Sequence, residues 1–204
     1  MPRVSREQAA LNRRHIVEVA AGLYREHGLN GIGLADLMAE AGVTHGGFYV
    51  HFESKDALAA EACSLSFDRS ADNWEAIIRD AASAKNADPK NTALQEIVQR
   101  YLHKPDHTSL RNICAMPTLA ADVMRQTERA PLRQAFTAGM RRLGECLISV
   151  MPDSFGKKKR RERGLASLAL LTGAMALARA SADEDLAREI LAAADKALAE
   201  LAAE

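Results

Sequence analysis

Residues 44–55 combine glycines with polar side chains at a spacing suited to contact with a polyanion. Gly46 and Gly47 fall in the first turn of a short predicted helix, where each glycine costs about 1 kcal/mol of helix stability relative to alanine. Such a cost is expected where the backbone has to approach another surface closely. The floor of a DNA groove is one surface of that kind.

The polar residues around these glycines suit contacts with bases and phosphates. Thr44 and His45 stand at the N-terminus of the predicted helix, where a recognition helix contacts base edges. Tyr49 and His51 carry polar groups on apolar bodies, which suits phosphate oxygens. Lys55 begins the next predicted helix, where its charge and the unpaired N–H groups both favour a phosphate.

Two short helices around a glycine turn are predicted to position these residues. The first helix spans 34–41, with Gly33 as its N-cap and Gly42 as its stop. The second spans about 44–51, with Phe48 pointing into the core. Two short helices joined by a tight turn form the helix-turn-helix pattern.

Longer helices are predicted on both sides of this pair. The N-terminal helix begins with a capping box at Ser5 and ends at Gly28. Leu29 is expected to fold back as the hydrophobic contact of a Schellman end. After the pair, Ser54 is predicted to cap a long helix over about 55–84.

The rest of the chain is also predicted to be helical, because no segment alternates as a half-buried strand would. We expect a basic loop at 157–161 and a second capping box formed by Ser181 and Glu184. The other predicted helices span 91–102, 117–125, 132–150, 165–178 and a last segment after Ser181. The fold class is therefore all-α with about nine helices.

The residues between Gly42 and Leu58 resemble the TetR family of bacterial transcriptional regulators. The matching residues are Gly42, Val43, Thr44, Gly46, Gly47, Phe48, Tyr49, His51, Phe52, Ser54, Lys55 and Leu58. The resemblance covers about residues 5–60, and departs from the family's usual residues at Gly33 and Met38. It implies a helix-turn-helix DNA-binding domain at 1–53 and a helical ligand-binding and dimerisation domain at 54–204.

The resemblance also implies the partners of this chain. They are a palindromic operator in double-stranded DNA, bound by a homodimer that is usually a repressor, and an unknown small-molecule effector that releases it. The last two helices, about 160–203, would pair across a two-fold axis. The apolar stretch 165–178 suits that role and is too short to cross a membrane. We expect a cytoplasmic protein without a cofactor.

Six side chains are expected near the effector pocket, although the core is the alternative for Trp74. They are Trp74, Tyr101, Cys114, Met116, Phe136 and Met140. Cys114 precedes a predicted helix and follows Arg111, two features that lower a thiol pKa. The segment resembles a TetR branch with a cysteine here, some of whose members sense electrophiles or oxidants; this chain has Ile113 where that branch usually has glycine. Cys114 is therefore either such a sensor or a buried core residue.

Composition and spacing argue against several other classes of protein. The 27 basic and 27 acidic residues balance, so no overall basic field indicates a nucleic-acid or membrane partner. Three cysteines (the other two are Cys63 and Cys146) are too few for a disulfide framework or a zinc site. His103 and His107 have the spacing of a metal pair, but Pro105 lies between them and no third ligand is evident.

No catalytic motif is present, since the chain lacks a phosphate loop, a nucleophile elbow and a metal constellation. We therefore predict that the chain is not an enzyme. The alternative to a regulator is a helical dimeric adaptor or small-molecule-binding protein without DNA binding. That alternative predicts damage in residues 44–55, which are intact.

The charges around the motif predict an affinity for DNA that depends on pH. Residues 1–60 hold six basic and seven acidic side chains, with no lysine or arginine between 31 and 52. The N-terminal arginines, Lys55 and protonated His45 or His51 should therefore supply most phosphate contacts, with a modest salt dependence. Affinity should rise as the pH falls, because histidine gains its charge near pH ~6.5. A binding titration that stays flat between about pH 6 and pH 8 would contradict the histidine contribution.

Overall fold

The computed structural model describes residues 6–84, 87–103, 109–127 and 130–203, and over these ranges it contains α-helices and 3₁₀ turns but no strand. The predicted all-α class with about nine helices is confirmed. The helices are α1 Arg6–His27, α2 Leu34–Glu40, α3 Phe48–His51, α4 Lys55–Ser83, α5 Pro89–Leu102, α6 Ala115–Met124, α7 Pro131–Ser149, α8 Lys157–Ala180 and α9 Glu184–Ala202.

The helices form two compact units. The first unit comprises residues 1–68 and 108–138, and the second comprises 69–107 and 139–204. Helices α4 and α7 each begin in the first unit and end in the second. The predicted division into domains at 1–53 and 54–204 stays a prediction.

The core of the first unit is built from the inward faces of short and long helices. Ile16 and Tyr24 of α1 are buried, as are Leu37 and Met38 of α2. Ile16 and Tyr24 lie on one face of α1, because eight positions are slightly more than two helical turns. Phe48 of α3 is 1% exposed, which confirms its predicted place in the core.

The turn between α2 and the next helical segment is a Schellman motif. Gly42 has a φ of +68°, a left-handed conformation that glycine adopts without steric cost. Its N–H donates to the Ala39 carbonyl at 2.9 Å, and the Val43 N–H donates to the Met38 carbonyl at 3.0 Å. This pair of hydrogen bonds ends α2 and starts the sharp turn of the predicted helix-turn-helix.

The end of α1 differs from the predicted Schellman motif. Gly28 has the expected left-handed φ of +73°, and its N–H donates to the Tyr24 carbonyl at 2.9 Å. That single bond defines the simpler αL motif. The Leu29 N–H instead donates to Asp122 Oδ2 at 3.2 Å, so a side chain remote in sequence replaces the expected local bond. Ser5, the predicted N-cap of α1, lies outside the described residues.

Two predictions about α8 and α9 are wrong. Residues 157–161 form the first turns of α8 rather than a loop, since lysine and arginine are good helix formers and the nearby Asp153 and Glu145 accept ion pairs from this segment. The N-cap of α9 is Asp183, whose carboxylate accepts from the Asp185 and Leu186 N–H groups. The predicted cap, Ser181, instead accepts from the Asp183 N–H.

Other helix ends lie close to their predicted positions. Ser54 Oγ accepts from the Ala57 N–H at 3.1 Å, which confirms it as the cap of α4. Helix α5 begins at Pro89, with Asp88 as its N-cap. Helix α6 begins at Ala115, two residues before the predicted start at Pro117.

Within the described residues, no helix combines the length and the apolar content needed to cross a bilayer.

The second unit brings α7 and α8 together at a glycine. A Cβ atom added at Gly164 would lie 2.6 Å from Ile148 Cγ1 and 2.8 Å from the Ile148 backbone nitrogen. Backbone atoms cannot move aside as a flexible side chain can, so the two helices approach closely only because residue 164 has no side chain.

The substitution Gly164→Ala should therefore destabilise the chain, by about 2 kcal/mol, as overpacking of a close contact does. Gly144→Ala is the matched control at the same helix pair, because its Cβ would meet only leucine side chains at 3.4 Å and 3.7 Å. The control should be neutral or slightly stabilising through its higher helix propensity. Urea unfolding measures both, and equal stabilities of the two variants would contradict the proposed contact.

Candidate nucleic-acid interface

Residues 44–51, which we call the recognition segment, present an exposed face to solvent. The segment begins with a 3₁₀ turn at His45–Gly47 and continues as the four-residue helix α3. Thr44, Gly46, Tyr49 and Val50 are exposed, with 67% exposure for Tyr49 and 77% for Val50. His51 is half-buried, while the side chain of His45 lies outside the described part of the chain.

The two glycines of the recognition segment are not required by the backbone of this chain. Neither Gly46 nor Gly47 has a positive φ, so any L-amino acid can adopt their conformations. A Cβ atom at Gly46 would meet no described atom within 4 Å, and one at Gly47 would lie 3.6 Å from Thr44 Oγ1, an ordinary contact. The fold itself therefore gives no reason for glycine at position 46.

Contacts between aromatic rings anchor the buried side of the recognition segment in the core of the first unit. The Phe48 and Phe52 rings stack with centroids 5.5 Å apart, and the Tyr49 ring meets Phe48 edge-on at 5.1 Å. Phe48 and Phe52 are both buried. Burial of these rings stabilises a helix of four residues that local hydrogen bonds alone could not maintain.

Arg13 of α1 fixes the C-terminal end of the recognition segment. Its Nε donates to the His51 carbonyl at 3.3 Å, and its two terminal nitrogens donate to both oxygens of Glu61 at 2.7 Å and 2.5 Å. The guanidinium carbon also lies 4.7 Å from the centroid of the Phe52 ring. A bidentate pair of this kind sets orientation as well as energy, so Arg13 links α1, α3 and α4.

Lys55 holds the connection between α1 and α2. Its Nζ donates to the Leu29 and Ile32 carbonyls, each at 2.8 Å. An ammonium group has three N–H donors, and two of them serve the fold here. The third donor is left for the predicted contact between Lys55 and a phosphate, which stays a prediction.

The basic groups near the interface therefore divide into two sets. Arg13, Arg25 and Lys55 donate to acceptors inside the first unit. Arg6 and Arg14 are exposed on α1, and Arg3 lies outside the described residues. The exposed arginines, the histidines and the remaining donor of Lys55 are therefore the groups left for the electrostatic contribution to DNA binding that the sequence predicts.

Two features of this candidate interface were not predicted from the sequence. Val50 has the most exposed apolar side chain of the recognition segment, and its only sequence signal was a position next to Tyr49 on a short helix. The link from Arg13 to Glu61 spans 48 positions, so no local pattern could have indicated it.

The six predicted pocket residues are spread over both units. In the second unit, the Trp74 and Tyr101 rings meet with centroids 5.9 Å apart, and Met140 is 39% exposed. In the first unit, Phe136 meets the Phe67 ring edge-on at 5.2 Å. Met116 is buried there, and Cys114 occupies the N-cap position of α6.

Two cavities lined by described residues of the second unit have volumes of about 690 and 320 Å³. None of the six predicted pocket residues lines either cavity. The larger cavity is polar at one side, where Lys90 and Asp153 form an ion pair. The assignment of the six residues to an effector pocket stays a prediction.

The three cysteines differ in burial. Cys63 and Cys146 are buried, whereas Cys114 is half-buried. Burial raises the pKa of the Cys63 thiol to about 12 and that of Cys146 to about 11, so both remain protonated and weakly nucleophilic at neutral pH. Cys114 is thus the cysteine that a reagent in solution would reach first.

The described residues contain no group of three or more His, Cys, Asp or Glu side chains that could hold a metal ion. His103, one of the two histidines considered as a metal pair, lies with its Nε2 3.3 Å from Asp195 Oδ2. His107, the other member of that pair, falls outside the described residues.

Comparison with known proteins places the N-terminal region in a family of regulators. Residues 16–62 match the sequence profile of the bacterial regulatory proteins of the tetR family. The HTH-type transcriptional regulator AcrR of Shigella flexneri is 36% identical over 66 residues, which are 32% of this chain and 31% of that protein. The HTH-type transcriptional repressor DhaR of Mycobacterium sp. (strain GP1) is 38% identical over 55 residues, or 27% and 28% of the two chains. The alignments span less than a third of either relative.

The fold is similar beyond the matched N-terminal region. The crystal structure of the reduced form of E. coli NemR aligns over 94% of this chain and 97% of that chain, with a TM-score of 0.76 and 20% sequence identity. The helical architecture is thus shared along nearly the whole length. Residues 16–62 therefore match the bacterial regulatory proteins of the tetR family, and the helical fold of nearly the whole chain is shared with that solved structure.

Proposed function

We propose that this protein is a cytoplasmic transcriptional repressor that binds a palindromic operator as a homodimer and is released by a small molecule. The main support for this proposal is that the fold does not require a glycine at position 46. Gly46 has an ordinary backbone conformation and open space around its missing Cβ, yet it lowers the stability of its helical turn. A glycine that the fold does not require is expected where the backbone must approach DNA closely.

The exposed face of the recognition segment supplies the groups that such a complex needs. Thr44 and His45 would reach base edges in the major groove, while Tyr49, His51 and Lys55 would bind phosphates. Val50 adds an apolar surface suited to a thymine methyl group. The close approach at Gly46 and Gly47 would let these side chains reach the groove floor.

The proposed dimer forms through α8 and α9. Leu165 and Leu177 of α8 are 42% and 61% exposed, and Gly173 lies between them with open space where a Cβ would stand. Residues at 165, 169, 173 and 177 share one face of the helix because they are four positions apart. Leu186 of α9 is also exposed. An apolar face with small residues suits pairing with a second copy of the same face.

The proposed effector is unidentified, and thiol modification is a second proposed trigger. The effector would bind near the six predicted pocket residues. Cys114 is half-buried at the N-cap position of α6, so modification of its thiol would disturb the start of that helix. Both triggers would release the operator by changing the spacing of two recognition segments in the dimer.

Selection of the purified protein against random duplex DNA, followed by sequencing, tests the function. We expect a palindrome whose half-sites lie about one helical turn apart, since a two-fold dimer presents two recognition segments at that spacing. The substitution Gly46→Leu should then weaken binding to the selected sequence at least about tenfold, because a side chain holds the backbone away from the groove.

Gly156→Leu is the matched control, because a Cβ there also meets nothing within 4 Å. It should leave DNA affinity unchanged, and circular dichroism should show both variants folded. No enriched sequence at low salt, or full affinity of the Gly46→Leu variant, would contradict the proposed role of the recognition segment.

The substitution Leu177→Glu should convert the dimer to a monomer at micromolar concentration, since it places a charge at the centre of an apolar interface. Sedimentation equilibrium measures the effect, which we expect to be at least about a hundredfold weaker association. Met124→Glu is the control, because Met124 is 75% exposed on α6 and lies outside the proposed interface. A dimer that survives Leu177→Glu would place the interface elsewhere.

A further inference from the structure

Arg111 joins the turn before α6 to two helices of the first unit, α1 and α2. The residue lies in a 3₁₀ turn shortly before Cys114, the N-cap position of α6. Its Nε donates to a Glu26 carboxylate oxygen, and its Nη1 donates to Glu40 Oε1 at 3.3 Å. Its carbonyl accepts a hydrogen bond from Arg25 Nη2. One residue next to α6 thus contacts the ends of both α1 and α2.

The two carboxylates held by Arg111 lie where a negative charge is unfavourable. Glu26 is in the last turn of α1, and Glu40 is the last residue of α2. The C-terminal end of a helix dipole repels negative charge. The planar guanidinium offers donors to both groups at once, which lowers the pKa of Glu26 and raises that of Arg111.

Helix α6 also holds this region from its other end. Asp122, in the last turn of α6, accepts from the Leu29 N–H at 3.2 Å. The Leu29 carbonyl accepts from Lys55. Because Leu29 lies in the connection between α1 and α2, contacts from the turn before α6 and from the last turn of α6 fix the approach to the helix-turn-helix.

The exposure of the cluster favours an orienting role over a stabilising one. The side chains of Arg111, Glu26 and Glu40 are 41%, 33% and 52% exposed. Ion pairs that are exposed to this degree add little to the global stability of a protein. Directed hydrogen bonds to two helices nevertheless restrict how those helices lie relative to the start of α6.

We propose that Arg111 is the positioning residue that transmits a displacement of the first turn of α6 to the helix-turn-helix. The inference deepens the proposed function and rests on it. A group attached at Cys114 would move the preceding turn and draw Arg111 away from Glu26 and Glu40. Helix α2 would then lose the orientation that holds the recognition segment in the groove.

Alkylation of Cys114 with N-ethylmaleimide, in the full-length protein and in the Arg111→Gln variant, tests this role. In the unsubstituted protein, alkylation should weaken operator binding about tenfold and speed amide hydrogen exchange over residues 34–51. The Arg111→Gln variant should bind about fivefold more weakly before alkylation, the scale of two partly exposed ion pairs. Alkylation should then weaken its binding by less than about twofold, because the connection is already lost.

Two controls separate the coupling from general damage. Arg100→Gln removes a partly exposed ion pair with Glu96 on α5 and should respond to alkylation as the unsubstituted protein does. Cys114→Ser treated with the reagent should show no change, which assigns the effect to that thiol. The double variant Glu26→Gln/Glu40→Gln keeps Arg111 but removes its charged acceptors, and should also lose the response.

The outcomes that overturn the proposal are distinct from failure of the proposed function. An alkylated protein with unchanged affinity and exchange overturns it, as does a folded Arg111→Gln variant with a full response. If Arg111→Gln does not fold, a full response in the Glu26→Gln/Glu40→Gln variant overturns it. Hydrogen exchange needs no DNA, so it decides the coupling even if selection finds no operator and the proposed function fails.

Discussion

The recognition segment is too short to be stable alone, and the first unit is organised around this constraint. Helix α3 has four residues, whereas isolated helices shorter than about 12 residues are marginal in water. Burial of Phe48 against Phe52 holds the segment from below. Arg13 holds its end through the His51 carbonyl. Tertiary contacts on one face leave the opposite face available for an external partner.

The same constraint explains how the basic side chains of the first unit are used. Arg13, Arg25 and Lys55 each donate to acceptors within the fold, so they position backbone segments. A cation with two internal acceptors contributes less to a positive surface than an exposed one does. In the proposed complex, close approach and base contacts would therefore matter more than the electrostatic field, consistent with a chain whose charges balance.

Local rules were sufficient for much of the fold and for the exposed face of the site. The apolar period of α1, the glycine turn at Gly42 and the Ser54 cap all depend on residues within a few positions of one another, so the sequence predicted them. The burial of Phe48 followed from the same short-range pattern. Exposure of Thr44 and Tyr49 is the complement of that burial on a helix with one inward face.

Two predictions failed where a residue outside the local segment supplies the partner. The Leu29 N–H binds Asp122, 93 positions away, so the expected Schellman bond does not form. The basic segment at 157–161 is helical, and acidic residues outside it, at 153 and 145, pair with its arginines. Composition alone suggested a loop there because the run itself contains only basic residues.

The carboxylates at the C-terminal ends of α1 and α2 also depart from a local rule, because negative charge is unfavourable at that end of a helix. Glu26 and Glu40 oppose the dipoles of their own helices, and the compensating cation, Arg111, lies 71 positions or more away in the chain. Departures from local consistency tend to occur at functional sites. A helix-turn-helix satisfied entirely by its own residues would be insensitive to α6. This one takes its neutralising charge from the turn before α6, so its orientation depends on where that turn lies.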